Sequence, residues 1–120
     1  MTGVLVIGAS GYIGNAVALA CRRDGYTVYA QSRNETKSQQ FLREELIPFI
    51  CDPTDPTALS AIVQRCQFVI DCTSVIQNGE KIPNACLEAI RSCESNANKH
   101  YIFTSGMLVY GNYEEPINEE

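Results

Sequence analysis

No apolar run in this 120-residue chain approaches the ~20 residues that a membrane-spanning helix needs, so no membrane partner is expected. Basic side chains are scarce as well. Nine Lys and Arg face 14 Asp and Glu, for a net charge of −5. Four of the acids (Glu114, Glu115, Glu119 and Glu120) crowd the end of the sequence, and without them the balance is −1. There is no Lys/Arg-rich run to follow a phosphate backbone, so no nucleic-acid partner is expected. Histidine occurs once, and the six cysteines (Cys21, Cys51, Cys66, Cys72, Cys86 and Cys93) form no CxxC pair, which argues against zinc. Most of the cysteines sit in apolar segments, as reduced and buried thiols do. Eight Gly, five Pro and 45% hydrophobic residues exclude collagen-like and wholly disordered chains. The length allows one domain and leaves no room for a second one of typical size. A strand-like run follows Met1-Thr2 at once, with no basic region and no cleavage site, so a cytoplasmic location is expected.

What is present is an alternation of short apolar runs and helical periods. Residues 3–7 read Gly-Val-Leu-Val-Ile, which suits a strand buried on both faces of a parallel sheet. In residues 12–24, Ile13, Ala16, Val17 and Ala20 recur at helical spacing, Arg22 and Arg23 sit in the last turn, and Gly25 stops the helix. Strands are expected over 27–31, 47–51, 68–70 and 101–103. A polar, exposed helix is expected over 35–45. A third helix has Asp55 as N-cap and Pro56 at its first position, and a fourth spans 83–98. The inner stripe of the fourth is either Cys86, Ile90 and Cys93 or Leu87, Ile90 and Ala97. Strand–helix repeated four times and ending on a strand predicts an α/β fold with right-handed crossovers and a parallel sheet.

The strongest chemical signal is Gly8-Ala9-Ser10-Gly11-Tyr12-Ile13-Gly14, between the first strand and the first helix. Gly8 allows the tight turn, Gly11 lets a diphosphate approach the backbone, and Gly14 lets the helix pack closely. The N–H groups of Tyr12 and Ile13 then face the anion at the positive end of the helix dipole. At the end of the second strand a carboxylate would bind the ribose 2′-hydroxyl of NAD, but here the chain reads Gln31-Ser32-Arg33-Asn34. Ser32 can donate to a 2′-phosphate, and Arg33 can pair with one or stack on adenine, which favours NADP over NAD.

On these residues the chain resembles the short-chain dehydrogenase/reductase superfamily, in its extended and atypical branch of NAD(P)-dependent epimerase/dehydratase-like proteins. Gly8, Gly11 and Gly14 match that family's GxxGxxG pattern. Cys51-Asp52-Pro53-Thr54-Asp55 is similar to its segment after the third strand, which implies that Asp52 contacts the adenine amino group beside Pro53. Val69-Ile70-Asp71-Cys72-Thr73-Ser74 is similar to the fourth-strand segment, placing Thr73 beside the cofactor. The run from Tyr101 to Tyr110-Gly111, with Thr104 at the strand end, is similar to the fifth strand and its "SS…VYG" signature; Glu119 also falls where relatives carry a Glu. The cofactor-binding set implied is Gly8, Ser10, Gly11, Tyr12, Ile13, Gly14, Ser32, Arg33, Asp52, Pro53, Thr73 and Thr104.

The chain departs from the family in two places. Gly106 stands where relatives carry the catalytic Ser or Thr, with Thr104 and Ser105 as neighbours. None of the six tyrosines has a Lys four residues later, so the acid/base pair Tyr-x-x-x-Lys is not expected here and no catalytic residue is assigned. Asp52 can instead cap a turn; Asp71 reads as a turn residue rather than an acid; His100 reads as a surface or turn residue; Tyr110 as packing over the sheet's end. The fold implied is a Rossmann-type, doubly wound parallel sheet of five strands in the order 3-2-1-4-5, truncated relative to the family, with an NAD(P)-binding domain over residues 1–111 and an acidic tail over 112–120. The function expected is NADP(H) binding within an epimerase/dehydratase-like oxidoreductase. The alternatives are a non-catalytic dinucleotide-sensing or protein-interaction module, or a truncated product of a longer NADP-dependent enzyme. The open edge at the fifth strand invites a second copy or another partner.

Overall fold

The computed structural model describes residues 2–73, 79–93 and 98–104. Strand β1 (Gly3–Ile7) is buried along its whole length. It pairs in parallel with β2 (Thr27–Ser32) on one side and β4 (Phe68–Asp71) on the other, Val6 lying opposite Ala30 and Ile70. Outside these lie β3 (Ile47–Ile50), paired with β2, and β5 (His100–Phe103), paired with β4, both in parallel. The order is β3-β2-β1-β4-β5, as the family resemblance implies. The chain leaves β1 in one direction and then crosses back to build β4 on its other side. All strand carboxyl ends therefore lie along one rim, with the switch point between β1 and β4.

Alternation along β1 divides the core in two. Leu5 and Ile7 face a cluster with Leu59 and Val63 of α3 (Pro56–Val63) and Ile82, Cys86 and Ala89 of α4 (Lys81–Arg91). Val4 and Val6 face the other cluster, with Ala18 of α1 (Tyr12–Arg23) and Phe41 of α2 (Ser38–Arg43). Each fully buried side chain of this size contributes roughly 1.5–3 kcal/mol.

Helix ends follow local rules, with two departures from expectation. The Asp55 carboxylate accepts the Thr57 N–H at 3.0 Å, so the predicted N-cap of α3 is found, with Pro56 next. Beyond α1, Gly25 takes φ +94°, and the N–H groups of Gly25 and Tyr26 return to the carbonyls of Arg22 and Cys21. The polar segment expected as one exposed helix over 35–45 is instead a 3₁₀ turn (Glu35–Lys37) followed by the short α2, and its Phe41 is fully buried. A residue without glycine's freedom stops α2. Glu45 adopts φ +62°, while the N–H groups of Glu45 and Leu46 return to Leu42 and Phe41, and its carboxylate pairs with Arg22 at 3.1 Å. Helix α4 begins at Lys81, ahead of Pro83, and ends at Arg91 rather than running to 98. A proline in a first turn gives up an N–H that has no helical partner anyway. Of its two predicted stripes, the one with Cys86 and Cys93 is buried, while Leu87 is exposed.

Lys99 makes a cap that the sequence does not announce. Its ammonium donates to the carbonyls of Val63 at 2.9 Å, Gln64 at 3.3 Å and Cys66 at 2.7 Å, at the negative end of α3. Lys99→Met should lower stability by about 2 kcal/mol, read as a shifted urea midpoint, because three carbonyls lose a charged donor at once.

All six cysteines are free. Burial pushes the thiols of Cys66 and Cys86 up to about 12 and that of Cys51 up to about 11. At neutral pH these are protonated packing groups rather than nucleophiles.

Candidate cofactor site

The glycine turn sits at the carboxyl end of β1, on the rim and at the switch point. Each glycine has a distinct physical cause. Gly8 adopts φ +78°, and a Cβ there would lie 3.1 Å from the Thr73 methyl and 3.3 Å from the Cys72 carbonyl oxygen. Gly14 is required by packing: its Cβ would stand 2.0 Å from the Gly8 carbonyl oxygen, so α1 rests directly on the turn. Gly11 differs from both. Its φ of −80° and ψ of 172° suit any residue, and among the described residues a Cβ there would meet only the Gly8 oxygen, at 3.4 Å. Packing among the described residues therefore gives no reason for glycine at this position.

Gly11 is also the N-cap of α1 and has no side chain with which to cap it. The first helical bond runs from the Asn15 N–H to the Gly11 carbonyl at 2.9 Å, which leaves the amides of Tyr12 and Ile13 ahead of the intrahelical ladder. The first turn holds no acid, and Arg22 and Arg23 stand in the last, so nothing along α1 opposes an anion at its start. Ser10, Gly11, Tyr12 and Ile13 are all exposed, Tyr12 at 96%.

The other predicted site residues fall on the same rim, past the ends of the neighbouring strands. Ser32 closes β2 and is buried; its hydroxyl oxygen accepts the Asn34 N–H at 3.1 Å. The group that faces solvent at this strand end is Arg33, whose guanidinium reaches Asp52 Oδ1 at 3.5 Å. Asp52 follows β3, with the buried Pro53 beside it. The Thr54 N–H and hydroxyl donate to the same Oδ1 at 3.0 and 2.8 Å. These two bonds, with Arg33 behind them, hold the Asp52 carboxyl below its ordinary value. Oδ1 thus caps the turn, as one of the two expectations for Asp52 had it.

Thr73 follows β4 and packs against Gly8. Its N–H donates to Asp71 Oδ1 at 2.9 Å, and its hydroxyl donates to the same oxygen. Asp71 is fully buried and takes the Tyr101 hydroxyl on Oδ2 at 2.7 Å. Asp71 is thus the turn residue expected, with a partner 30 positions away that the sequence did not reveal. Thr104 follows β5; its N–H donates to the Asp71 carbonyl at 3.0 Å. His100 is exposed and stacks on Phe68. Ser74, Ser105, Gly106, the Tyr110-Gly111 pair and the tail at 112–120 lie outside the described residues. Among the described residues no helix is long and apolar enough to cross a membrane.

A parallel β3-β2-β1-β4-β5 sheet with helices on both faces and a glycine turn at its switch point defines a Rossmann-type domain. The model of the NAD dependent epimerase/dehydratase family matches residues 4–120, and the chain belongs to that family, which is NAD(P)-dependent. Among curated proteins it is 28% identical, over 130 residues, to the fatty acid hydroxylase uhd1 of Mycosarcoma maydis, covering 98% of this chain and 43% of that protein. It is 28% identical over 83 residues to the decarboxylating sterol-4-alpha-carboxylate 3-dehydrogenase of Dictyostelium discoideum, covering 68% of this chain and 25% of that one. The chain thus spans less than half the length of either relative. Vestitone reductase from alfalfa (Medicago sativa) shares the fold, with a TM-score of 0.69 at 21% identity over 88% of this chain and 36% of that one.

Proposed function

We propose that this chain is the dinucleotide-binding part of an epimerase/dehydratase-type oxidoreductase and that it prefers NADP(H) to NAD(H). The observation that carries the reading is Gly11. It is a glycine that neither backbone angle nor internal packing demands, set where the uncapped start of α1 offers its amides to a diphosphate. The amides of Tyr12 and Ile13, with Ser10, would hold the diphosphate. Asp52 Oδ2 would accept the adenine amino group, and Thr73 and Thr104 would line the path toward the nicotinamide. When bound, the nicotinamide gives or takes the hydride; these residues orient it.

The preference for NADP rests on Arg33 at an exposed strand end that carries no carboxylate of its own. Its contact with Asp52 is long and solvated, and a dianionic 2′-phosphate would offer the guanidinium a stronger, charge-assisted partner. Titrating the purified chain with NADPH and NADH tests this. Arg33→Ala should weaken NADPH by about 1.5–3 kcal/mol and leave NADH nearly unchanged, because one charge-assisted bond is lost. Equal affinities of the unaltered protein for the two cofactors would overturn the preference. Failure to bind either would overturn the whole reading.

A further inference from the structure

Gln31 shows nothing in the sequence beyond membership of a strand, yet its buried carboxamide spans two of the segments described above. Oε1 accepts the Gly8 N–H at 2.9 Å, and Nε2 donates to the Cys51 carbonyl at 2.9 Å. The Gln31 backbone carbonyl also takes the Ala9 N–H, at 3.0 Å. Residue 31 therefore engages the first two amides of the glycine turn and, on its other side, the carbonyl directly before Asp52. Those amides are held by the protein, whereas the amides of Tyr12 and Ile13 lie ahead of the intrahelical ladder of α1.

We propose that Gln31 is a positioning residue that fixes the spacing between the diphosphate turn and the adenosine side at Asp52, so that a dinucleotide meets both in register. The inference rests on the dinucleotide reading above. Its chemistry is specific to a carboxamide, which presents an acceptor to Gly8 and a donor to Cys51 from one planar group. A ligand spanning both segments depends on their spacing, whereas a ligand touching one of them does not.

The test compares three probes on the full chain: NADPH, adenosine 2′-monophosphate and inorganic pyrophosphate, each with the folded fraction fixed by circular dichroism. Gln31→Met should weaken NADPH about 10-fold or more while changing the two smaller probes by less than about 3-fold. A loss of folded protein alone would lower all three by one factor. Gln31→Glu supplies a rescue. Ionised, it turns a second acceptor on the Cys51 carbonyl and breaks the link; protonated, its O–H donates to Cys51 and its other oxygen accepts from Gly8. Burial raises the pKa of such a carboxyl, so NADPH affinity of the Glu variant should recover as pH falls from about 8 to about 5.5, relative to the unaltered protein at each pH. The charged and titratable groups on the segments packed around it are Cys51, whose raised thiol stays neutral throughout, and, near it, Asp52, Asp55 and Arg33. Each is shared by the unaltered protein and cancels in that ratio. A uniform loss across the three probes, no loss at all, or a Glu variant that does not recover would overturn the proposal. If the unaltered protein binds neither NADPH nor NADH, the parent reading fails first and this one with it.

Discussion

Gly11→Ala should leave the fold standing and abolish dinucleotide binding, whereas Gly14→Ala should damage the fold itself. At position 11 the backbone angles suit alanine, and the new methyl meets a single atom at van der Waals distance. Reduced freedom of the unfolded chain favours alanine, and the poorer N-cap opposes it, so stability should move by no more than about 1 kcal/mol. The methyl would, however, stand where a diphosphate must approach the amides, and affinity for NADPH should fall about 100-fold or more, equivalent to ~3 kcal/mol. At position 14 the methyl would lie 2.0 Å from a backbone oxygen that cannot rotate away. Helix α1 would have to lift off the turn, at about 3 kcal/mol, and the turn would lose its shape with it. Thermal melting beside NADPH titration separates the two variants. A Gly11→Ala protein that binds NADPH normally would show that no ligand comes close to this backbone.

The difference between these two glycines marks how far the sequence can be read. The spacing of Gly8, Gly11 and Gly14 after a five-residue apolar run locates the turn, and the alternation of elements gives a parallel α/β sheet, because both are local signals, whereas the strand order follows from the family resemblance. Which glycine serves the fold and which leaves space for a ligand depends on what lies opposite each one, and that is set by packing. The same limit hides Gln31, Lys99 and Tyr101. Each makes its decisive bonds to residues 20 or more positions away, across strands whose register no local pattern specifies. Helix α2 eludes the sequence for another reason. The expected helix also ends at Glu45, a left-handed residue held by the return of the chain to Phe41 and by Arg22; what differs is the start, where Asn34 accepts the Thr36 N–H and a 3₁₀ turn precedes Ser38. The buried Phe41 was likewise masked by polar neighbours in a segment too short to show a helical period.

Asp71→Ala should be the most destabilising change at the carboxyl ends of the strands. The side chain is fully buried, and its two oxygens receive the Thr73 N–H, the Thr73 hydroxyl and the Tyr101 hydroxyl. Removing it strands three donors away from water, at about 3–5 kcal/mol in all, since such losses do not add in full. It also frees Thr73, whose methyl packs over Gly8, so the glycine turn should loosen and NADPH affinity should fall even under conditions where the variant is folded. Tyr101→Phe is the milder probe. It leaves Asp71 held on one oxygen and should cost about 1.5–3 kcal/mol. It carries a pH signature as well. Burial first, and then the bond it donates to Asp71, raise the Tyr101 hydroxyl above its ordinary value of 10.0. A group whose folded value lies above its unfolded one contributes stability that is complete below about pH 10 and is lost as pH rises beyond it. The unaltered protein should therefore lose stability on the alkaline side more steeply than Tyr101→Phe, and the gap between their urea midpoints should narrow there. A gap that stays constant from neutral pH to pH 11 or so would mean that the hydroxyl does not carry the network.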